Sequence, residues 1–401
     1  MTSMRLVRAF SSSFGLSGSL ILALAATACG STTPTGTGSS SQPTFNADTG
    51  VPVFNPGGSS GQTGTGTGTG TTTGTVVSTG TTNPTGTGPG STTVASSSHS
   101  TCTTNTGPIT GTVGATGGSV SRLVFAVVGD TRPANEDDTS GYPTAIITKI
   151  FQDIEAQSPH PVLTLGTGDY QFSEASNGTG AAQVAIYMQT RAAYTGAFFP
   201  AMGNHECGVS GGFTTSDNNN CGPGNTGGAT VNYNAFINGM LSTISQTNPY
   251  YSINVSASDN SWTAKFVMTA ANAWDTAQNT WLESTLAVPT TYTFVVRHEA
   301  SDATPPLPPG VAGVDALLAK YPYTLLIVGH THDYGHYSDA PQVLVIGNGG
   351  APLSSSSYDY GYGLLSQRCD GAIVVDEYDY MTGATDSYLH FVVTPAGQIT
   401  N

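Results

Sequence analysis

Five times between residues 123 and 332, a short apolar run stops at a side chain able to hold a metal ion. Leu123–Val128 ends at Gly129-Asp130, and Val162–Leu165 runs into Gly166-Thr167-Gly168-Asp169. Ala197–Met202 ends at Gly203-Asn204-His205-Glu206, Tyr292–Val296 at Arg297-His298, and Leu325–Val328 at Gly329-His330-Thr331-His332. Runs this short and this apolar, closed by turn residues, read as strands buried on both faces. Helical periods lie between them. In Thr144–Gln157, which opens on Pro143, residues Ile146, Ile147, Ile150, Phe151 and Ile154 share one face. Ala181–Tyr194 and Asp275–Leu286 are two further helices, the latter with Trp281 and Leu282 on its core side. Tyr250–Val255, Lys265–Thr269, Val343–Ile346, Ala372–Val375 and Leu389–Val393 are further strands. Alternation of this kind predicts an α/β domain with its polar clusters at strand ends, where such proteins build their sites.

That domain occupies only part of the 401 residues. From residue 30 to about 121 the chain is mostly Gly, Thr, Ser and Pro, with Asp48 as its single charged side chain, and Gly-Thr repeats run from Thr63 to Gly70. Such a stretch buries too little apolar surface to offset its chain entropy, which predicts a disordered linker over 29–121. A flexible chain of ~90 residues has a reach of ~50 Å, enough for a tether, although a plain spacer of no function has the same composition. Ahead of it, Arg5 and Arg8 precede the apolar run Leu20–Ala26, too short for a membrane span, and residues 1–28 read as an export signal. Ala26-Thr27-Ala28-Cys29-Gly30 resembles a bacterial lipobox, with Ala where Leu is usual. Cys29 is therefore the expected lipidation point, anchoring an exported lipoprotein of the bacterial cell envelope. The alternative is an ordinary secretion signal with a chance cysteine.

The expected domain, 122–397, carries 8 basic and 24 acidic residues. A surface so acidic repels nucleic-acid backbones, so no nucleic-acid partner is expected. With Cys29 acylated, Cys102, Cys207, Cys221 and Cys369 remain, an even number in an exported chain. Cys207 and Cys221 flank a polar Gly- and Asn-rich loop and form the favoured bridge, and Cys102 with Cys369 would pin the linker's end to the domain.

Asp, Asn and His converging from strand ends suit transition metals such as Mn, Fe or Zn, whereas calcium prefers oxygen alone. One carboxylate bridging two such ions permits activation of water and an in-line phosphoryl displacement. Each block alone has a bland reading, a helix cap or a structural histidine; the ordered set is what discriminates.

That set resembles the calcineurin-like metallophosphoesterases, which include the purple acid phosphatases. Their blocks run D-x-H, G-D, G-N-H-[DE], H and G-H-x-H, and the last four are present here in order. Gln278–Leu282 resembles the family's Q-x-x-W-L helix, and Ile346–Gly350 its glycine-rich strand end. The resemblance implies a two-sheet αββα sandwich, a small phosphate-ester substrate and a dinuclear centre of divalent or trivalent transition metals. It further implies that Asp169 bridges the ions, that Asp130 and His332 hold one, and that Asn204, His298 and His330 hold the other. His205 would protonate the leaving oxygen, oriented by Glu206 or another carboxylate. One block departs: Arg132 stands where a histidine ligand is usual, and a guanidinium cannot ligate a metal. Nor does position 172, a phenylalanine three residues after Asp169, offer the tyrosine found in purple acid phosphatases. Arg132 is expected to trade affinity for that first ion against contact with the substrate phosphate. The competing function is a surface binding protein on a degenerate phosphoesterase fold without turnover, for which Arg132 is the best support; the retained Asp169 and His205 speak against it.

Overall fold

The structure is a computed structural model that describes residues 107–400 except 177, 209–218, 223–226, 337–339, 341 and 383–384. The expected signal segment, Cys29, Cys102 and nearly all of the expected linker lie outside the described residues. In chain order the strands and helices are β1 (Gly111–Gly114), β2 (Gly117–Val120), β3 (Val124–Val128), α1 (Thr144–Ala156), β4 (Leu163–Gly166) and α2 (Gly180–Thr190). Then come β5 (Ala197–Pro200), α3 (Thr230–Gly239), β6 (Tyr251–Ala257), β7 (Thr263–Met268), α4 (Thr276–Ala287), β8 (Tyr292–Val296) and α5 (Pro309–Leu318). The chain closes with β9 (Leu325–Val328), β10 (Tyr334–His336), β11 (Val343–Ile346), β12 (Gly361–Gln367), β13 (Ile373–Asp379), β14 (Thr385–Val393) and β15 (Ile399–Thr400).

The strands form two sheets, in the orders β1-β2-β6-β7-β8-β9-β11-β10 and β15-β14-β13-β12-β3-β4-β5. In the second, β3, β4 and β5 are parallel, with α1 and α2 as crossovers, and β12 joins β3 antiparallel to start a meander. In the first, β7, β8, β9 and β11 are parallel, with α4 between β7 and β8 and α5 between β8 and β9. The expected αββα sandwich is thus the architecture found. Side-chain alternation along each strand explains it. Phe266 and Phe294 point from β7 and β8 into the layer between the sheets, where both meet Phe125 of β3 edge-on, centroids 5.0 and 4.9 Å apart. Their neighbours Val267 and Val295 point the other way, into a second core with Leu282 and Leu286 of α4 and Val314 and Leu317 of α5. Strands apolar on both faces can only be interior. The outer face of the other sheet is covered by α1, through Ile147, Ile150, Phe151 and Ile154, all buried as the periodicity implies.

The sheet begins before the expected linker boundary at 121 and ends after 397. The β1–β2 hairpin lies in the Gly/Thr-rich stretch, and β2 pairs with β6 in parallel. Its glycines are structural. Gly111 and Gly117 have φ of +89° and +106°, and a Cβ on either would meet a backbone carbonyl oxygen at 2.1 Å. Composition alone therefore reads them as linker. Helix α5 escapes a pattern search for a related reason: the proline-rich run before it looks like a loop, yet Pro309 occupies the helix's first turn, where its missing N–H costs nothing. No described helix is long and apolar enough to cross a membrane.

Candidate metal centre

All five blocks meet at the carboxyl ends of β3, β4, β5, β8 and β9. The backbone bends hard to bring them there. Asp130, Asp169, His330 and His332 have φ of 54°, 58°, 73° and 56°, in the left-handed region that side chains avoid. They are four of the seven non-glycine residues with positive φ among those described, so the strain concentrates where the chemistry is expected. Glycines make room for them. Gly168 sits at φ +115°, and a Cβ there would come within 2.7 Å of both Gly203 Cα and His298 Nδ1. The Ile346–Gly350 strand end closes over Asp130, with the Ala351 N–H donating to the Asp130 carbonyl at 2.7 Å.

Asp130, Asp169 and His298 form a buried triad whose donor atoms lie within 4.8 Å of one another. His298 Nε2 is 3.2 Å from Asp169 Oδ1 and 3.9 Å from Asp130 Oδ1. Asn204 Oδ1 is approached by His298 Nε2 and His330 Nδ1, each at 2.9 Å, and those two nitrogens are 3.3 Å apart. His332 Nε2 lies 3.6 Å from Asp130 Oδ1, an oxygen that is buried without a hydrogen-bond partner. The sequence-expected ligands are therefore together, with His332 beside Asp130 and His330 beside Asn204 and His298.

Hydrogen bonds behind these residues set which atoms face inward. His298 Nδ1 lies 2.8 Å from the Thr167 carbonyl and His332 Nδ1 2.7 Å from the Pro352 carbonyl, both bonds that only an N–H can make. In a neutral ring that leaves each Nε2 with a bare lone pair. At His298 the Nε2 is turned to Asn204 Oδ1 and Asp169 Oδ1, so a positive charge is needed between the nitrogen and the two oxygens: a proton on Nε2 in the metal-free protein, or a metal ion in its place. The donor set, nitrogen with carboxylate and amide oxygen, fits a transition metal ion in this place.

The electrostatics divide the histidines. Burial pulls the His330 imidazole down to about 3, helped by His298, and pulls His332 down to about 4, helped by the Arg132 guanidinium. Both are held neutral, the form that ligates. Burial alone would lower His298, but the Asp169 and Asp130 carboxylates outweigh it and hold the ring well above its ordinary range. Burial likewise works against the Asp169 carboxylate, yet His298, His205 and Arg132 keep it well below the usual range. Asp130 goes the other way, its burial only partly offset by His298.

His205 stands at the edge of this cluster. Its backbone N–H donates to Asp169 Oδ1 at 3.0 Å, and its Nε2 lies 3.8 Å from Asp169 Oδ2. Its side chain is 15% exposed, against 2–3% or less for Asp130, Asp169, His298 and His332, so it faces the opening. The carboxylate next to its ring is thus Asp169. Glu206, the other candidate orienter, instead accepts three backbone N–H groups, from Gly203, Asp169 and Tyr170, at 2.8–2.9 Å. It ties the second and third blocks to each other, a role the sequence reading missed; an acidic residue closing a strand-end turn is the signal that could have found it.

Arg132 is buried at 1% exposure. Its Nε lies 3.9 Å from Asp169 Oδ2, and its guanidinium carbon is 4.8 Å from the centre of the Phe172 ring. Phe172 in turn packs edge-on against His205, centroids 4.7 Å apart. Arg297, beside the ligand His298, faces away from the centre. It binds the carbonyls of Glu299 and Val311 and the Asp315 carboxylate, fixing the loop after β8. His336 packs its ring on Phe391. Cys207 and Cys221 form the expected disulfide, and Cys102, the expected partner of Cys369, lies outside the described residues.

Among solved structures the chain is similar to a purple acid phosphatase from yellow lupin (Lupinus luteus) seeds, at 18% identity and a TM-score of 0.48 over 68% of this chain and 54% of that one. A 5'-nucleotidase from Candida albicans matches at 11% identity and a TM-score of 0.36, over 68% and 54% of the two chains. A phosphoesterase from E. coli matches at 11% and 0.30, over 67% and 98%. The chain thus spans about half the length of the lupin and Candida proteins. No curated protein sequence matches it. Residues 123–334, which include every expected ligand, match the calcineurin-like phosphoesterase family, and the chain belongs to that family.

Proposed function

We propose that this protein hydrolyses a small phosphate ester in a metal-dependent reaction, with His205 as the proton donor to the leaving oxygen. Membership of a phosphoesterase family supports the reaction class. The observation that carries the metal dependence is the convergence of buried donor atoms: those of Asp130, Asp169 and His298 lie within 4.8 Å of one another, with Asn204 Oδ1 and His330 Nδ1 beside them.

On this reading Asp169, Asn204, His298 and His330 hold one ion, while Asp130, His332 and the second Asp169 oxygen offer a less complete position. A metal held there supplies an activated water and positive charge for the phosphoryl oxygens. The remaining work falls to the chain. Asp169 fixes His205 through its backbone N–H and lies next to its ring. In the free protein, burial first and Arg132 second hold the His205 imidazole well below its ordinary range. A bound phosphate anion opposes Arg132 and favours the imidazolium, so the acid form arises with substrate in place. The protonated ring then gives its proton to the departing alkoxide. Phe172 shields one edge of that ring. Arg297 is committed to Asp315, and Arg132 is buried, so little basic side chain is free to grip a larger polyanion; this favours a small ester.

The test is metal analysis of the purified protein followed by a panel of chromogenic phosphate mono- and diesters. Metal-dependent turnover that is lost in Asp169→Ala supports the reading; a metal-loaded protein that turns over no ester would favour the binding-protein alternative. We also propose export, and membrane attachment through lipid on Cys29. Mass spectrometry of the mature N-terminus tests this, and an unmodified Cys29 would leave a secreted protein.

A further inference from the structure

Two neighbouring positions in the centre lack the ligand atoms that the family pattern leads one to expect, residues 132 and 172, and the structure stacks them on each other. The Arg132 guanidinium lies over the Phe172 ring at 4.8 Å, within cation–π range. One terminal nitrogen donates to the Pro133 carbonyl at 3.1 Å. The Nε is buried without a hydrogen-bond partner and is turned towards Asp169 Oδ2, 3.9 Å away. A side chain enclosed in this way is a fixed charge of the interior rather than a mobile clamp for incoming phosphate.

The charges divide accordingly. Asp169 turns Oδ1 to His298 Nε2, beside Asn204 and His330, and Oδ2 to Arg132. Among the described residues the ion-pair contacts of Asp130 Oδ1 are His332 Nε2 at 3.6 Å and His298 Nε2 at 3.9 Å. A guanidinium keeps its charge and offers no lone pair. A second divalent ion on Asp130 and His332 would therefore lie beside a buried positive charge and lack a ligand at both positions 132 and 172. Asp130 and Asp169 together match the charge of one divalent ion, and Arg132 adds a further positive charge; the buried Glu299 carboxylate accepts from the Asn272 amide. The nearby Glu206 carboxylate is committed to three backbone N–H groups.

We propose that the Arg132 guanidinium, held by Phe172, takes the place of one of the two cations this ligand set would otherwise carry, so that the chain binds a single metal ion tightly. That ion belongs to Asp169, Asn204, His298 and His330. The proposal rests on the metal-dependent reading above, and its test separates the two. The full-length chain is saturated with Zn(II), freed of loose ions by gel filtration and counted by elemental analysis, with calorimetric titration for affinities. The wild type should retain about one ion, and any second ion should bind more weakly than the roughly 10–100-fold that loss of an outer-shell partner costs. Arg132→His removes the charge and supplies an imidazole, and should retain about two. A wild type that holds two ions of similar affinity overturns the proposal and leaves metal dependence standing. A wild type that binds none overturns both. An Arg132→His protein that folds and still holds one ion also overturns the proposal; should that variant fail to fold, the wild-type count decides alone.

Discussion

Replacing Cys207 and Cys221 together by alanine tests how the third block is held in place. The disulfide closes a loop with a sequence separation of 14 and a Cα–Cα distance of 5.6 Å, and both cysteines are buried. Closing a loop of about 15 residues removes roughly 10 cal/mol/K from the unfolded chain, which is about 3 kcal/mol at 25 °C. The bridge also has local work. The Cys207 N–H donates to the Asn204 carbonyl at 3.0 Å, and the Cys221 N–H donates to the Asn272 carbonyl at 2.7 Å. It thus fastens the turn carrying Asn204 and His205 to the turn after β7. Two alanines also leave small cavities, which add to the loss. The expected destabilisation is about 3–5 kcal/mol. At roughly 2–4 °C per kcal/mol for a domain of this size, the unfolding midpoint should fall by about 6–20 °C. Thermal and urea unfolding of the metal-free protein measure this directly, and reduction of the wild type should reproduce most of it. A double mutant that unfolds within 1 °C of the wild type, or two free thiols by non-reducing peptide mapping, would refute the reasoning.

Three further outcomes follow from the site. His205→Ala should keep its metal content and lose roughly 10²–10⁴-fold in turnover, most on esters with basic leaving groups; equal losses on activated and unactivated esters would exclude proton donation. Gly168→Ala should lower both stability, by about 2 kcal/mol or more, and metal retention, because the φ of +115° and the contacts at 2.7 Å leave no space for a methyl group; a metal-replete variant of normal stability would contradict this. Burial works against the Asp137 carboxylate, but bonds from Thr179, Ser173 and Glu174 outweigh it and hold it below the usual range. A depressed folded value stabilises fully above the unfolded one, near 4, and the gain disappears as pH falls through the folded value. Asp137→Ala should therefore cost about 1 kcal/mol at pH 7, allowing for solvent access, and progressively less in acid, as measured by urea unfolding across that range.

Much of this was legible in the sequence because one physical rule produced it. A strand buried on both faces must be apolar throughout, so the residue at which it stops being apolar marks the sheet edge, and that rule located all five blocks. Helices with a single apolar face, such as α1, were equally plain. What the sequence hid was structure made from residues that also make loops. The glycines of β1 and β2 permit close backbone approach, but their composition matches the stretch before them. The prolines ahead of α5 start a helix, although prolines also end helices, and β12 begins among tyrosines and glycines whose packing is long-range: Tyr362 stacks on Tyr378, and Tyr360 meets Tyr380 edge-on.

Side-chain destinations were less legible than positions. Glu206 adjoins His205 in sequence and so looks like its orienting partner, yet the turn sends the two side chains apart, the carboxylate to backbone N–H groups and the ring to Asp169 and Phe172. Arg132 is the sharper case. Its identity showed that a ligand was missing, but only the fold shows that it is buried against the residue at the other altered position. That contact changes what the substitution means. A missing ligand alone leaves a weakened copy of a two-ion site. A cation fixed in the interior against an aromatic ring, with its Nε turned to a carboxylate oxygen, replaces charge as well as removing a donor. In that arrangement Asp169 needs a metal at only one of its oxygens, and the demand for a second ion falls on Asp130, whose unpartnered Oδ1 is the atom where the stoichiometry will be decided.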